Sequence, residues 1–276
     1  MTSEQHGSAR PLRPTRPVML SIAGSDCSAG AGIQADLKAG LAMGSYPLTA
    51  VTCVVSEVPG QVESLRALDA DFVASQVRLC LKHFPVRAVK TGMLYSTDIA
   101  EAVAAELRPQ GLPLVIDPVM IATAGEPLML QEAISSYERH LIPQATLLTP
   151  NLDELERLLG CPRPQSPDEL AAAARDLARR YGCAILAKGG HLSGDTCCDV
   201  LAEPDGSLHR REHPRTKGIS THGTGCTLSA ALAARLACGD SLPDAAARAL
   251  DHVSRAIAQS LRLGDLDALN HGGAAS

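Results

Sequence analysis

An α/β fold, with parallel βαβ units and helices on both faces of a sheet, is predicted for this 276-residue chain by three features. Short apolar runs alternate with longer stretches of helical spacing, glycine-rich and polar residues recur directly after the apolar runs, and no linker or internal repeat divides the chain. Residues 18–23 read as a strand, and the glycine turn after them opens a helix on which Ile33, Leu37 and Leu41 share a face. Residues 50–55 form the second strand and residues 70–83 the second helix. The short run 88–91 precedes a helix through Glu101, and 114–116 ends at Asp117-Pro118. The run 146–148 ends at Thr149-Pro150-Asn151, after which Leu152, Leu155 and Leu159 mark a helical face. Beyond a proline-rich break at 162–167 come a helix and a strand at 184–187. Segments 196–202 and 207–213 flank Asp205-Gly206 as a hairpin. Two helices close the chain, one carrying Leu228, Leu232 and Leu236, the other near 243–262.

Composition narrows the function classes. With 45% hydrophobic residues the chain can bury a sizeable core, and a net charge of -5 spread along the sequence leaves no basic stripe for nucleic acid. No run of about 18 apolar residues spans a membrane. Nine cysteines, none in C-x-x-C spacing, fit a reducing, cytoplasmic setting better than a disulfide framework. Residues 1–17, with Arg10, Arg13 and Arg16 among prolines and no apolar stretch, read as a disordered tail, as do residues 264–276 as a flexible one. One body over 18–263 is expected, acting on small molecules.

Open α/β sheets bind ligands beyond the carboxyl ends of their strands, where this chain places 24–32, 90–93, Asp117, 149–154 and 188–191. The segment Thr221-His222-Gly223-Thr224-Gly225-Cys226 leads into a helix. Glycines there let successive N–H groups face one anion at the positive end of the helix dipole, although an ordinary glycine turn explains the pattern equally well. No Lys-Ser or Lys-Thr follows, so it is not a Walker A loop. Gly30-x-Gly32 lacks the third glycine of a dinucleotide fingerprint, and Asp26 inside that loop would repel a pyrophosphate. Asn151 suits a helix cap with Asp153 and Glu154 in the first turn, and that role alone accounts for the segment; the alternative uses Glu154 and Asp117 around Mg²⁺. Lys188 stands after a strand either as a cation near phosphates or as a solvated turn residue. Cys226, at a helix start, is either a reactive thiol or a packing residue.

Six stretches in order, IAGSDCSAGAGIQADLKA, VKTGML, VIDPVM, LLTPNLDE, AKGGH and THGTGCTLSAALAA, resemble the hydroxymethylpyrimidine/phosphomethylpyrimidine kinases of thiamine biosynthesis, in the ribokinase superfamily. The resemblance runs from about Val18 to about Leu263. It implies a three-layer α/β/α fold with a mostly parallel sheet, a homodimer, and Mg-ATP donating phosphate to the hydroxymethyl group of 4-amino-5-hydroxymethyl-2-methylpyrimidine and then to the monophosphate. It implies that Gly223, Thr224, Gly225 and Cys226 form the anion hole, with Cys226 beside the attacking hydroxyl. Asp26 matches the family's substrate-side acid, with Gly24, Ala31 and Met93 also on that side. Asp117 and Glu154 match the magnesium side, and Asn151, Lys188 and His222 the nucleotide side.

One segment departs from the pattern. Where family members carry a glutamine that reads the ring, this chain has Glu57 within Val55-Ser56-Glu57-Val58-Pro59. An ionised glutamate only accepts hydrogen bonds, so Glu57 would need an N-protonated ring, or a proton of its own, unless it faces solvent and another group reads the ring. A pyridoxal or pyridoxine kinase of the same superfamily, and a catalytically silent ligand-binding relative, are the competing expectations.

Overall fold

A computed structural model describes residues 15–120, 131–216, 218 and 222–272. Thr221 and most of the expected N-terminal tail lie outside the described residues. The elements run β1 (Val18–Asp26), α1 (Gly32–Ala42), β2 (Tyr46–Val58), β3 (Gln61–Ala67), α2 (Ala70–His83), β4 (Val86–Thr91), α3 (Thr97–Leu107) and β5 (Leu114–Ile116). After α4 (Gln131–Ser136), a π turn (Tyr137–Leu141) and a 3-10 turn (Ile142–Gln144) come β6 (Leu147–Leu148), α5 (Leu152–Leu159), α6 (Pro167–Tyr181) and β7 (Ala184–Ala187). Strands β8 (Thr196–Ala202) and β9 (Leu208–Pro214), helices α7 (Thr224–Ala237) and α8 (Leu242–Ala258), and the hairpin β10 (Leu261–Leu263)–β11 (Leu266–Ala268) complete the chain.

Nine strands form one sheet in the order β3-β2-β1-β4-β5-β6-β7-β8-β9. The six from β2 to β7 are parallel, and β3, β8 and β9 add antiparallel edges. The period of two along each strand sends neighbours to opposite faces. Leu114 and Ile116 pack with α2, α3, α5 and α6, whereas Val115 packs with α7 and α8; Ile185 and Leu186 divide the same way. The result is the expected three-layer α/β/α arrangement. Asn151 caps α5 through the N–H groups of Asp153 and Glu154, while Glu154 returns a bond to the Asn151 N–H, a complete capping box.

Four expectations change. The second strand extends to 46–58 and is paired with an unforeseen β3, whose residues are largely exposed and so lack apolar alternation. The irregular helical segment 131–144 was likewise not foreseen. The last helix stops at Ala258, four residues short, and the supposed flexible tail from 264 contains β11 and the buried Leu269 and His271. The structured chain therefore continues past 263.

The face that carries α1 and α7 also holds a fully buried ion pair. Lys90 Nζ lies 2.8 Å and 2.9 Å from the two oxygens of Asp36, and Ser21 Oγ donates to Asp36 at 2.5 Å. Burial alone would strip the ammonium of its proton, but the Asp36 charge outweighs it and the Lys90 pKa rises. Removing one partner leaves an uncompensated interior charge. Lys90→Met is expected to destabilise the fold by about 3–5 kcal/mol in urea unfolding, and Lys90→Met with Asp36→Leu to recover most of it. Equal losses in the single and double variants would show that the pair's charge balance is not what matters.

Candidate active site

Two glycine turns meet at the carboxyl end of the sheet. Gly223 precedes α7 in the left-handed region (φ 80°), and a Cβ there would stand 1.8 Å from the Gly30 carbonyl oxygen. Gly30 in turn lies against the ring of His222. Only residues without side chains allow this approach.

Asp26 ties the two turns together. Its carboxylate accepts from the Ser28 N–H at 2.7 Å, the Ser28 hydroxyl at 3.0 Å and the Ala31 N–H at 2.7 Å, and His222 Nε2 lies 3.0 Å away. Burial works to raise the Asp26 pKa, but these partners, His222 first, outweigh it and hold it at about 2. Most of the acceptor capacity of Asp26 is thus taken up inside the protein. His222, expected on the nucleotide side, lies against Asp26.

Gly24, Ala31, Glu57 and Met93 gather around the same clamp. A Cβ on Gly24 would come 3.2 Å from the Met93 methyl, and the Met93 carbonyl accepts from the Thr52 hydroxyl at 2.7 Å. Glu57 is fixed through its backbone, which exchanges contacts with Cys27 Sγ at 3.2 Å and 3.4 Å. Burial raises the Glu57 carboxyl pKa, the Asp26 charge adds to the rise, and His222 opposes it. A carboxyl in this position is therefore easier to protonate than an exposed one.

The second group surrounds the start of α7. Lys188 Nζ is 3.0 Å from Asp117 Oδ1, and a Cβ on Gly225 would lie 3.3 Å from that ammonium and 3.4 Å from Asp117 Oδ2. Thr149 and Ser229 hydroxyls also donate to Asp117 at 3.3 Å and 3.4 Å. Gly189 is pressed against β8, its N–H donating to Asp199 at 2.9 Å, which fixes the strand end that carries Lys188. Burial pushes the Glu154 carboxyl up to about 7, with Lys188 opposing and Asp117 adding to the rise. Asn151 and Glu154 are both engaged in the α5 cap, as their sequence suggested, yet the buried Glu154 carboxyl stands in the field of Asp117 and Lys188.

Cys226, in the first turn of α7, lies between the two groups. Its surroundings push the thiol up to about 11: burial dominates, Lys90 opposes it, Asp36 and Asp117 reinforce it, and the Gly32 N–H faces the sulfur. The residue is a neutral thiol at pH 7. Lys90 lies in the expected 90–93 segment, but its partner Asp36 was missed as a site neighbour because it sits inside an ordinary helix pattern.

The sheet order, the anion-receptive helix start and its neighbouring lysine define a phosphotransferase of the ribokinase-like class. The chain belongs to the phosphomethylpyrimidine kinase family, whose model matches residues 26–270. A hydroxymethylpyrimidine/phosphomethylpyrimidine kinase of Streptomyces coelicolor is 41% identical over 94% of this chain and 95% of its own length. The structure of Bacillus subtilis pyridoxal kinase in its ADP complex superposes with a TM-score of 0.85 at 32% identity, covering 94% of this chain and 98% of that one. Phosphomethylpyrimidine kinase of Clostridium difficile gives 0.75 at 32% identity over 87% and 99% of the two chains.

The Asp26 clamp gives a pH test. A carboxylate held below its ordinary 3.8 contributes stability above that value and loses it as pH falls through about 2. Asp26→Asn should lower the urea midpoint at neutral pH, with the gap to the unmodified protein closing on acidification through that window. A gap that stays constant to pH 2 would show that the donors do not hold the carboxylate as described.

Proposed function

We propose that this chain transfers the γ-phosphoryl group of ATP to the hydroxymethyl group of 4-amino-5-hydroxymethyl-2-methylpyrimidine and then phosphorylates the monophosphate, supplying thiamine biosynthesis. The carrying observation is the start of α7, where Gly223 and Gly225 flank Thr224 next to Lys188, which suits an anion in transfer; Gly223 makes no side-chain cap to the first-turn N–H groups. The substrate hydroxyl oxygen attacks the γ-phosphorus, the bond to the β–γ bridging oxygen breaks, and ADP leaves with that electron pair. Little charge develops on the attacking oxygen in a loose transition state. We therefore assign the larger part of the rate to the N–H groups of Thr224, Gly225 and Cys226 and to Lys188. The neutral Cys226 thiol stands beside the attacking hydroxyl as a hydrogen-bond partner, and that hydroxyl's proton leaves on the product phosphate.

Among the described residues no group of three or more His, Cys, Asp or Glu side chains forms a ready metal cage. The buried Asp117 and Glu154 carboxylates beside Lys188 fit a Mg²⁺ that keeps its waters and shares phosphate oxygens. Such an ion would neutralise phosphate charge. The substrate ring is assigned to the space bordered by Gly24, Ala31, Glu57 and Met93, with His222 and Asp26 holding its wall. Asn151 acts first as a cap and only through α5 on the nucleotide. Apolar residues exposed on β2 and α2, Tyr46, Val54, Phe72 and Leu79, offer a face for a second copy.

Mass spectrometry of products with ATP and, in parallel, the pyrimidine, its monophosphate and pyridoxal tests the reading; product from pyridoxal alone would move the substrate to the second reading, favoured by the superposition on pyridoxal kinase. Gly225→Ala, which pushes a methyl toward Lys188, should lower kcat about 10²–10³-fold. Cys226→Ser should cost only about tenfold, one hydrogen bond's worth. A loss above about 10³-fold in Cys226→Ser would instead make the thiolate the general base. Glu57→Gln should shift the pH dependence of pyrimidine KM, and an unchanged profile would remove Glu57 from the ring site.

A further inference from the structure

The C-terminal segment reaches back to the turn that opens α7. The Asn270 N–H donates to the Ala256 carbonyl at 3.1 Å, laying the segment along the end of α8, and Leu269 and His271 are buried beneath it. His271 Nε2 lies 2.9 Å from Thr227 Oγ1, and its Nδ1 lies 3.1 Å from the Leu269 carbonyl. Thr227 Oγ1 is itself 2.8 Å from the Gly223 carbonyl, which also accepts the Thr227 backbone N–H at 2.9 Å. Four groups from three residues thus form one junction: the His271 ring, the Thr227 hydroxyl, and the Gly223 carbonyl and Thr227 amide that close the first turn of α7.

The protons in this junction can be assigned. Burial first, then the charges of Lys38 and His252, hold the His271 pKa at about 4, so the ring is neutral in the working range and carries one N–H. The Leu269 carbonyl can only accept, which assigns that proton to Nδ1 and leaves Nε2 to accept from the Thr227 hydroxyl. The hydroxyl has one proton, and the Gly223 carbonyl stands at hydrogen-bond distance from the same oxygen. The ring and the Gly223 carbonyl, to which the hydroxyl donates at 2.8 Å, therefore share that one proton. Without the ring the proton serves the Gly223 carbonyl alone, and the tie between the C-terminal segment and α7 is gone.

We propose that His271 is a positioning residue for phosphoryl transfer, a latch that holds Thr227 and through it the Gly223–Cys226 turn in one arrangement. The proposal rests on the reading of that turn as the phosphoryl site. His271 touches no reacting atom in this reading; it acts by fixing the peptide at Gly223, one residue before the N–H groups assigned to the transferring group. A turn held in two arrangements instead of one binds the transition state less well while leaving the ring pocket around Gly24 and Met93 as it was.

The test is steady-state kinetics of His271→Leu, His271→Gln, Thr227→Val and the His271→Leu/Thr227→Val double variant, with ATP and the pyrimidine. His271→Leu and Thr227→Val should each lower kcat about tenfold, the rate equivalent of one lost hydrogen bond, with pyrimidine KM little changed. The double variant should lose no more than either single one, because both remove the same junction. His271→Gln, whose carboxamide oxygen can accept from the hydroxyl, should recover most of the rate. Full kcat in the single variants, losses that multiply in the double variant, or no recovery with glutamine would each overturn the latch. Should His271→Leu fail to fold, Thr227→Val and His271→Gln carry the same decision. Gly225→Ala in the same assay separates the two levels: its loss with the latch variants unaffected refutes the latch alone, and its full activity refutes the phosphoryl-site reading itself.

Discussion

Gly223 and Gly30 touch backbone to backbone, and the rest of the site is arranged around that contact. Any side chain at 223 would collide with the Gly30 carbonyl, and the positive φ would strain it as well. The contact brings the start of α1 and the start of α7 to the same end of the sheet, so two positive helix ends face one region. Small residues make this possible along the helices too. α7 buries Ala230, Ala231, Ala233, Ala234 and Ala237 against α1 and α8, and a Cβ on Gly40 of α1 would stand 3.0 Å from Pro47 and 3.1 Å from Met19. The Asp26–His222 bond, spanning 196 residues of sequence, then locks the loops at the tip.

The charges follow from this geometry. Two lysines lie close to the start of α7, and each is given an aspartate: Lys90 with Asp36 below the thiol, Lys188 with Asp117 beside Gly225. The first pair is sealed and keeps Cys226 near a fixed dipole. The second is partly open at the lysine, and an anion arriving at the helix start addresses the same ammonium as Asp117. A site built this way is close to neutral at rest yet receptive to phosphate, and it achieves that without a lysine in the glycine turn.

Much of the frame could be read from the sequence because its strands are buried on both faces and appear as short apolar runs. Residues 114–116 and 184–187 end where the runs end. The β3 strand could not, since an exposed edge of Gln61, Glu63, Ser64 and Arg66 carries no apolar period. The capping box at Asn151 and Glu154 is local and was legible; the Lys90–Asp36 pair joins residues 54 apart, and nothing in either neighbourhood announces the other. The contact of His222 with Asp26 was hidden for the same reason, because the two lie 196 residues apart. His271 was hidden by the small and polar residues around it, which read as a tail although the segment packs on α8.

Fold and ring preference rest on different parts of the molecule. The proposed phosphate side is made largely of backbone: glycines, helix starts and strand ends, with the buried pairs Lys90–Asp36 and Lys188–Asp117 beside them. The proposed ring side is made of side chains on β1, β2 and the β4–α3 loop, among them Glu57 and Met93, where one substitution would change which hydrogen bonds a ring must supply. Superposition measures the sheet and helices, so it matches pyridoxal and pyrimidine kinases alike and leaves the ring undecided. The pyrimidine is favoured by the 41% identity to a hydroxymethylpyrimidine/phosphomethylpyrimidine kinase over 94% of the chain. Glu57 sharpens the choice. Burial and then the Asp26 charge raise its carboxyl pKa, so it takes up a proton more readily than an exposed glutamate, and only the protonated form both donates and accepts, as the ring nitrogen and amino group of an aminopyrimidine require.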